Sequence, residues 1–559
     1  MSRILNLPAV PALDAEQISK MVMSMDGSGT WWRSGIFYQI YPRSFQDSAG
    51  DGVGDLAGII HRLPYLLTLG VDAIWLSPIF VSPMADFGYD ISDYTAIDPL
   101  FGTMEDFDAL VKATHESGLK IILDLVPNHT SDQHRWFQEA KRSRTDPRRD
   151  WYIWRDGKPD GSPPNNWLSE FGGSAWEYDA GTEQYYYHAF LAQQPDLNWR
   201  NPAVRAAVYD VMRFWLRRGV DGFRVDVLWH LIKDAEFRDN PPNPGYIEGR
   251  PPNERVLTRY SADQPEVHEV VAQMRRVMDE FGERVLIGEI YLPYARLMTY
   301  YGKNLSGAHL PFNFALLSAP WHARDIERII ADYEQALPAG AWPNWVLGNH
   351  DRPRVASRVG VAQARVAAML LLTLRGTPTL YYGDEIGMQQ VPIAPDQVRD
   401  PFEKNVPGIG VGRDGCRTPM QWNANANAGF SAVAPWLPVA ADFTHENVVN
   451  LTADRRSILN LYRALIGLRK QHAALVTGSY RAVAAQGDLL LYRREGEGEG
   501  GEVITVALNL GDDPVALSTE GNGLDGKILL STELDRTGER IRGTLDLRGN
   551  EGVMIVRAT

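Results

Sequence analysis

Polar and charged side chains stand at the ends of several short apolar runs in this sequence. They are carboxylates, imidazoles and a guanidinium, groups that move protons, attack as nucleophiles or stabilise developing charge. A single acid in such a place is more often a helix cap. Acids at the ends of three separate apolar runs favour a catalytic site instead. The side chains are Asp124, Asn128 and His129; Arg224 and Asp226; Glu289; and Asn349, His350 and Asp351.

These groups converge only if the runs that carry them are neighbouring parallel strands. Apolar, β-branched or aromatic runs alternate along the chain with amphipathic helical patterns, which is typical of α/β folds with a parallel sheet. Eight strand and helix units predict a (β/α)8 TIM barrel, whose functional groups lie at the C-terminal strand ends. The strands are predicted to begin near Ile36, Ala73, Lys120, Gly222, Val285, Ala308, Trp345 and Thr377.

The helices between the strands have start and stop signals of their own. Asn201 followed by Pro202 predicts a helix start, and Gly219 predicts its end. Thr103 and Asp106 have the spacing of a capping box at the start of another helix. The alternation of strands and helices therefore does not depend on the strand pattern alone.

Three intervals are too long for simple crossovers, and long loops inside a compact domain are usually functional. Residues 129–199 predict a small domain inserted after the third strand, rich in Trp, Tyr, Gly and Asn. The proline-rich segment Asp239–Glu254 is a predicted lid after the fourth strand. Residues 383–438 predict a loop subdomain after the eighth strand.

The remaining boundaries follow from the same patterns. Residues 1–30 are predicted to be an N-terminal leader, and residues 31–128 with 200–475 the barrel. Strand-like runs separated by glycine turns in residues 476–559 predict a C-terminal antiparallel β-sandwich domain.

Composition limits the partners and the location. The 559 residues, 44% of them hydrophobic, can bury a large core and form more than one domain. A net charge of −14 disfavours nucleic acids and anionic membranes and suits a neutral substrate. The single cysteine, Cys416, excludes an internal disulfide and favours a cytoplasmic location. No apolar run approaches the roughly 20 residues that a membrane span needs.

Four segments resemble, in order and spacing, the conserved segments of the α-amylase superfamily of glycoside hydrolases. They are LDLVPNHTS (Leu123–Ser131), GFRVDVLWH (Gly222–His230), IGEIYL (Ile287–Leu292) and LGNHDRPR (Leu347–Arg354). The resemblance extends from Ile36 to the C-terminus. Finer motifs are similar to the oligo-1,6-glucosidase and α-glucosidase branch, which removes single glucosyl units from short α-glucosides: GVGDLAGI, FGGSAWE, QPDLN, YYGDEIGM and RTPMQW.

The resemblance implies a retaining mechanism with three carboxylates. Asp226 would attack the anomeric carbon, and Glu289 would act as general acid and base. Asp351 would bind the 2- and 3-hydroxyls of the glucosyl unit. Arg224 shares a strand face with Asp226 and is expected to keep it ionised, whereas Asp351 is expected to keep Glu289 protonated.

The same resemblance assigns further residues to the glucose subsite. Tyr89 is expected to stack on the sugar, since a pyranose presents apolar C–H faces. Phe171 and Phe190 are either aromatic walls of the pocket or ordinary core residues. The other expected members of the subsite are Asp86, His129, Arg224, His350 and Arg417.

A calcium loop is predicted near the N-terminus of the barrel. Alternate positions from residue 47 to residue 55 follow the order of calcium ligands in such loops, with Gly52 at the turn position. Related glucosidases usually have asparagine where this chain has Ala49, which weakens the site, and a solvated acidic turn is the alternative. The predicted ligands are Asp47, Asp51, Val53 and Asp55. The chemistry requires no other cofactor.

Linkage preference is less determined than the reaction. Val227, after the predicted nucleophile, often accompanies α-1,6 activity in this branch, but the segment that follows it resembles α-glucosidases that act on maltose-like or sucrose-like substrates. We expect α-1,4 hydrolysis with transglucosylation, so the partners are small α-glucosides and glucosyl acceptors. An oligo-1,6-glucosidase is the alternative, and monomer and homodimer stay open. A sucrose isomerase is less favoured, because FALLSAPWH (Phe314–His322) lacks the arginines of an isomerisation loop.

Overall fold

An eight-stranded parallel sheet forms the centre of the computed structural model, which describes residues 30–498, 500–520 and 524–557. Hydrogen-bonded neighbours follow the order β6–β5–β4–β3–β2–β1–β8–β7. The strands are β1 (Phe37–Ile40), β2 (Ala73–Leu76), β3 (Lys120–Leu125), β4 (Gly222–Val225), β5 (Val285–Gly288), β6 (Leu310–Pro311), β7 (Asn344–Val346) and β8 (Thr377–Tyr381). The predicted barrel is confirmed.

Strands β6 and β7 at the two ends of this order meet through one side chain. Asn344 donates from Nδ2 to the Pro311 carbonyl at 2.6 Å and accepts the Asn313 N–H at 2.9 Å. An amide side chain carries both a donor and an acceptor, so it can bridge two strands as a backbone peptide would. Strand β6 has only two residues, because Pro311 has no N–H with which to extend a ladder.

Helices follow the strands around the outside of the barrel. The capping box of Thr103 and Asp106 forms, and Asn201 caps its helix with Pro202 in the first turn, as predicted. In the ranges that the structure describes, no helix combines the length and the apolar character that a membrane span requires. The longer helices are Leu56–Leu69, Met104–Glu116, Pro202–Arg217, Val267–Asp279, Ala323–Ala336, Val361–Thr373 and Ile458–Gln471.

The segment between β3 and the helix Pro202–Arg217 carries a three-stranded antiparallel sheet of its own, formed by Trp154–Arg155, Gln184–Tyr187 and Trp176–Asp179. Loops of the same segment contact the predicted lid after β4. The Asn166 amide donates to the Asn240 carbonyl at 2.9 Å, and the Asn253 amide donates to Glu170 at 2.8 Å. The insertion and the lid therefore form one continuous rim beside the strand ends.

The C-terminal part forms an antiparallel sheet, as predicted, with a smaller sheet packed against it. The large sheet contains Ser479–Gln486, Leu489–Glu495, Val503–Asn509, Gly552–Arg557, Gly526–Ser531 and Arg540–Ile541. Val515–Ser518 pairs with Thr544–Leu547 in the small sheet, and Leu545 and Leu547 bury against the large one. The predicted leader, residues 1–30, lies outside the described residues except for Thr30, and the exact domain boundaries stay predictions.

Candidate active site

Arg224 occupies the centre of the strand ends and contacts three carboxylates. It lies in β4, with Asp124 of β3 and Ile287 of β5 as its ladder partners. Its Nη1 donates to Asp124 Oδ1 and to Asp226 Oδ1, each at 2.8 Å, and its Nη2 lies 2.7 Å from Glu289 Oε2. One fully buried guanidinium thus holds the predicted nucleophile and the predicted acid side by side.

The backbone after Asp226 also contacts Glu289. Val227 has φ 36° and ψ 45°, in the left-handed region, which is an outlier for a β-branched residue. In this conformation its N–H donates to Glu289 Oε2 at 2.9 Å. Because Oε2 already accepts from Val227 and meets Arg224, the other oxygen of Glu289 is left for a proton and a substrate. Strained backbone of this kind concentrates at functional sites.

The charge state of the central acids differs from the expectation that Arg224 keeps Asp226 ionised. Burial first, and the negative charge of Glu289 second, raise the pKa of Asp226, although Arg224 acts in the opposite direction. Burial also raises the pKa of Asp124 to about 7 against the effect of Arg224. The physical reason is that one positive charge is divided among three buried acids.

Asp351, unlike Asp226, is an ionised acid, because it lies between two arginines. Its Oδ1 accepts from Arg417 Nη2 at 3.0 Å and from Arg413 Nη1 at 3.3 Å. Burial alone would raise the pKa of Asp351, but the positive charges of Arg413 and Arg417 hold it well below its usual range. An acid that stays ionised can accept hydrogen bonds from sugar hydroxyls throughout the reaction.

A chain of hydrogen bonds runs from β1 across the floor of the site. The Gln39 amide lies 2.8 Å from His350 Nδ1, and His350 Nε2 lies 2.7 Å from the Tyr89 hydroxyl. Tyr89 in turn donates to Asp124 Oδ2 at 3.0 Å. Because the Gln39 amide nitrogen donates to Nδ1 and the Tyr89 hydroxyl donates to Asp124, His350 is assigned as neutral with its proton on Nε2. Burial, which lowers the pKa of His350 well below its usual value, favours the same state.

The other predicted subsite residues lie around this floor. Asp86 Oδ1 accepts from Arg413 Nη2 at 2.7 Å. His129 is 1% exposed, its Nε2 is 3.0 Å from the Tyr89 carbonyl, and burial lowers its pKa to about 4, so it holds the Tyr89 backbone as a neutral group. The Phe190 ring lies 5.3 Å from the His129 ring and 5.7 Å from the Phe171 ring. Both phenylalanines therefore form one wall beside the site.

Arg413, which was not among the predicted residues, lies at the centre of the subsite. Its Nη2 binds both Asp86 and Asp400 at 2.7 Å, its Nη1 reaches Asp351, and its guanidinium lies 4.9 Å from the Phe171 ring centre. Arg417, which was predicted, is fully buried behind Asp351 and also donates to the His350 carbonyl at 2.8 Å. The segment GRDGCRTPMQW contains both arginines, and only packing distinguishes which one faces the pocket.

The predicted calcium loop is satisfied by its own hydrogen bonds. Asp47 accepts from the Gly50 and Gly52 N–H groups at 2.6 and 2.9 Å, and Asp55 caps the helix Leu56–Leu69 through the Gly58 N–H at 2.6 Å. Across the described ranges, no group of three or more His, Cys, Asp or Glu side chains is arranged to hold a metal ion. In this arrangement Asp47 and Asp55 accept hydrogen bonds from backbone N–H groups, and the calcium site stays a prediction.

Calcium dependence can be tested at Ala49. We expect about 5 mM calcium to stabilise the protein by less than about 1 kcal/mol, and to stabilise Ala49→Asn by about 1 to 2 kcal/mol more, because asparagine restores an oxygen ligand. Thermal unfolding with and without calcium measures both. Ala49→Val, which adds volume but no oxygen, is the matched control. An equal calcium response of the asparagine and valine variants would contradict the prediction.

Comparisons with known proteins find relatives over most of the chain. A model of the alpha amylase catalytic domain matches residues 39–478. A probable alpha-glucosidase of Rhizobium meliloti is 42% identical over 523 residues, which are 89% of this chain and 94% of that protein. An oligo-1,6-glucosidase of Parageobacillus thermoglucosidasius is 41% identical over 502 residues, 83% of this chain and 87% of that protein.

Two solved structures are similar over almost the whole chain. The alpha-glucosyl transfer enzyme XgtA has a TM-score of 0.89 at 41% identity, covering 95% of this chain and 100% of its own. The trehalulose synthase MutB from Pseudomonas mesoacidophila MX-45 has a TM-score of 0.87 at 34% identity, covering 95% and 100%. The likeness therefore includes the barrel, the insertion and the C-terminal sheets.

Proposed function

The chain belongs to the alpha-amylase family of glycoside hydrolases, and from that premise we propose that it is a retaining, exo-acting α-glucosidase. It would release glucose from the non-reducing end of short α-glucosides and pass glucosyl units to acceptors. The observation that carries this proposal is the contact of Arg224 with both Asp226 and Glu289. Retaining hydrolysis needs two carboxyl groups close together, one to attack and one to move a proton.

In the first half of the reaction Asp226 attacks the anomeric carbon and Glu289 protonates the departing oxygen. The free oxygen of Glu289 carries that proton, since its Oε2 is engaged by Val227 and Arg224. In the second half Glu289 takes the proton of a water or an acceptor hydroxyl, whose oxygen attacks the glucosyl ester on Asp226. The stereochemistry at the anomeric carbon is retained after the two displacements.

Exo action follows from the closed end of the site. Asp86, Tyr89 and His129 are each no more than 5% exposed, and Arg413 with Phe171 covers the side next to them. A glucosyl unit whose hydroxyls meet Asp86, Arg413 and Asp351 would have no room for a further sugar beyond it. A pocket of this kind accepts one terminal unit and leaves the aglycone towards the rim of the insertion and the lid.

Linkage and transfer are the finer parts of the proposal. We favour α-1,4 bonds with transglucosylation, which the likeness to an alpha-glucosyl transfer enzyme supports. Oligo-1,6-glucosidase activity is the second candidate, supported by Val227 and by relatives of that name. Sucrose isomerisation is the least favoured: the likeness to a trehalulose synthase supports it, but Phe314–His322 carries no arginine. We also propose a cytoplasmic location, on the ground that Cys416 is the only cysteine.

Initial rates on maltose, isomaltose, sucrose and nigerose test the proposed function. We expect glucose to be released from all cleavable substrates as the α-anomer, which NMR distinguishes before mutarotation, and maltose to have the highest kcat/KM. Chromatography of the products over time separates hydrolysis from transfer and from isomerisation. β-Glucose as the first product would contradict retention, and a higher kcat/KM on isomaltose would establish the second candidate.

A further inference from the structure

Arg352 is an exposed arginine that forms no ion pair within 4.0 Å of a carboxylate among the described residues. Burial acts to lower its pKa, but Tyr291, Asp351 and Glu289 together raise it, so Arg352 lies near both of these acids. It directly follows Asp351 in the chain. Arg224, Arg413 and Arg417, which contact the carboxylates of the site, each have an acid within 3.0 Å. Among the described residues Arg352 makes no such direct contact with an acid, and its hydrogen bond is to Tyr291.

The position of Arg352 is held by an aromatic stack. Its guanidinium carbon lies 5.4 Å from the centre of the Tyr291 ring. Phe314 stacks on Tyr291 with 4.3 Å between ring centres and 10° between the planes, and the Asn349 amide donates to the Tyr291 hydroxyl at 3.4 Å. Tyr291 is therefore fixed by Phe314 and Asn349 and supports Arg352, so the arginine would lose little conformational freedom on binding a ligand.

This arginine lies on the leaving-group side of the proposed reaction. Tyr291, which supports it, follows Glu289 by two residues, and Glu289 is the group that protonates the departing oxygen. The glucose side of Asp351 is already occupied, because Arg413 and Arg417 both bind its Oδ1. Arg352 therefore lies beside the acid that would serve the leaving group and the acceptor, and not among the residues that hold the glucose side of Asp351.

We propose that Arg352 binds a carboxylate on the leaving group or acceptor, which makes hydroxy acids preferred partners in glucosyl transfer. The inference rests on the proposed function. A guanidinium presents two parallel N–H groups that match both oxygens of a carboxylate, and such charge-assisted pairs are stronger than contacts with neutral hydroxyls. The acceptor hydroxyl attacks the glucosyl ester on Asp226, its proton passes to Glu289, and Asp226 leaves as a carboxylate. The acid group of the acceptor takes no part in bond making and only positions the hydroxyl.

Competition between glycerate and glycerol tests the proposal. Both acceptors capture the same glucosyl-enzyme formed from maltose, so the ratio of the two glucosides in an equimolar mixture does not depend on enzyme concentration or on the first half of the reaction. We expect the wild-type ratio to favour glycerate at neutral pH. We expect Arg352→Gln to lower the ratio at least about tenfold, or about 1.4 kcal/mol of preference. Arg352→Lys keeps the charge but loses the paired N–H groups, so its product ratio should lie between those of the wild type and Arg352→Gln.

Controls separate this inference from the proposed function. Arg324→Gln removes an exposed arginine from the outer helix Ala323–Ala336 and should leave the ratio at the wild-type value. Glucose release from maltose by the wild type is measured first, and its absence would overturn the proposed function itself. If maltose is cleaved but the wild type does not prefer glycerate, or if Arg352→Gln keeps the wild-type ratio, the assignment of Arg352 is overturned. Because the readout is a ratio, a variant that folds only in part still gives a valid result.

Discussion

Asp226→Asn is expected to lower kcat for 4-nitrophenyl α-glucoside by about 10⁴-fold or more, because an amide cannot form the glucosyl ester of the retaining mechanism. The substitution keeps the size of the side chain and one oxygen that can accept from Arg224, so the fold is expected to persist. Asp226 contacts the guanidinium through Oδ1 alone, and the Leu125 carbonyl receives the Asp226 N–H at 2.8 Å in either variant. Steady-state kinetics with circular dichroism and thermal unfolding measure activity and folding separately.

Glu289→Gln is expected to give a different pattern from the same substrate. The nitrophenolate leaving group needs little protonation, so the first half of the reaction loses less than the second, and the glucosyl-enzyme accumulates. An anionic nucleophile such as azide needs no general base and should restore turnover, with α-glucosyl azide as the product. Asp108→Asn, on the outer helix Met104–Glu116, is the matched control and should stay within about twofold of wild type. Azide rescue of the Asp226 variant with retention, or none of the Glu289 variant, would contradict the assigned roles.

Arg413→Lys is expected to lower kcat/KM on maltose by about 100-fold or more. The arginine joins Asp86, Asp351 and Asp400 through its guanidinium nitrogens at 2.7 to 3.3 Å, whereas a lysine has one compact ammonium and cannot reach all three. Each charge-assisted hydrogen bond contributes about 1.5 to 3 kcal/mol, so the loss of two accounts for a decrease of this size. The pocket would also lose the cation that covers Phe171, 4.9 Å from the ring centre.

The control for Arg413 comes from the same segment of the chain. Arg399→Lys changes an exposed arginine on the loop after β8 and should alter kcat/KM by less than about threefold. Comparison of maltose with an aryl α-glucoside is informative, because both share the glucosyl unit and differ in the aglycone. A loss of similar size on both substrates is expected for a residue of the glucose subsite. If Arg413→Lys stays within about threefold of wild type on both substrates, the role given to Arg413 is wrong.

The barrel and the carboxylates could be predicted because their signals are local. Short β-branched runs, the Thr103 and Asp106 capping box, and Asn201 before Pro202 each express a preference that acts within a few residues. Asp226 and Glu289 directly follow buried strands, so the strand assignment alone placed both at the C-terminal end of the barrel. Strand β6 was predicted to begin at Ala308 and is only Leu310–Pro311, since proline ends the ladder that a hydrophobicity pattern continues.

The choice between the two arginines after β8 could not be predicted in this way. Arg413 and Arg417 are four residues apart in a segment with little regular structure, where no periodic pattern sets the direction of a side chain. Asp400, which anchors Arg413 through a 2.7 Å contact, lies 13 residues earlier in the same segment. Contacts of this kind depend on how the whole segment packs on Asp86 and Phe171. The resemblance selected Arg417 because RTPMQW was the recognisable motif.

The sequence by itself determined which acids could react and on which strands they lie, because hydrophobic runs and the residues that end them are encoded next to each other. Only the tertiary structure decided how charge is shared among them. Arg224 meets Asp124, Asp226 and Glu289 together, so its single charge cannot offset the burial of all three, and the pKa of Asp226 is raised rather than lowered. The tertiary structure also decided that Arg413 joins Asp86, Asp351 and Asp400 while Arg352 packs against Tyr291 with no direct ion pair. The sharing of the Arg224 charge and the contacts of the other arginines both depend on distances between residues far apart in the chain. Electrostatic energies depend on those distances and on burial.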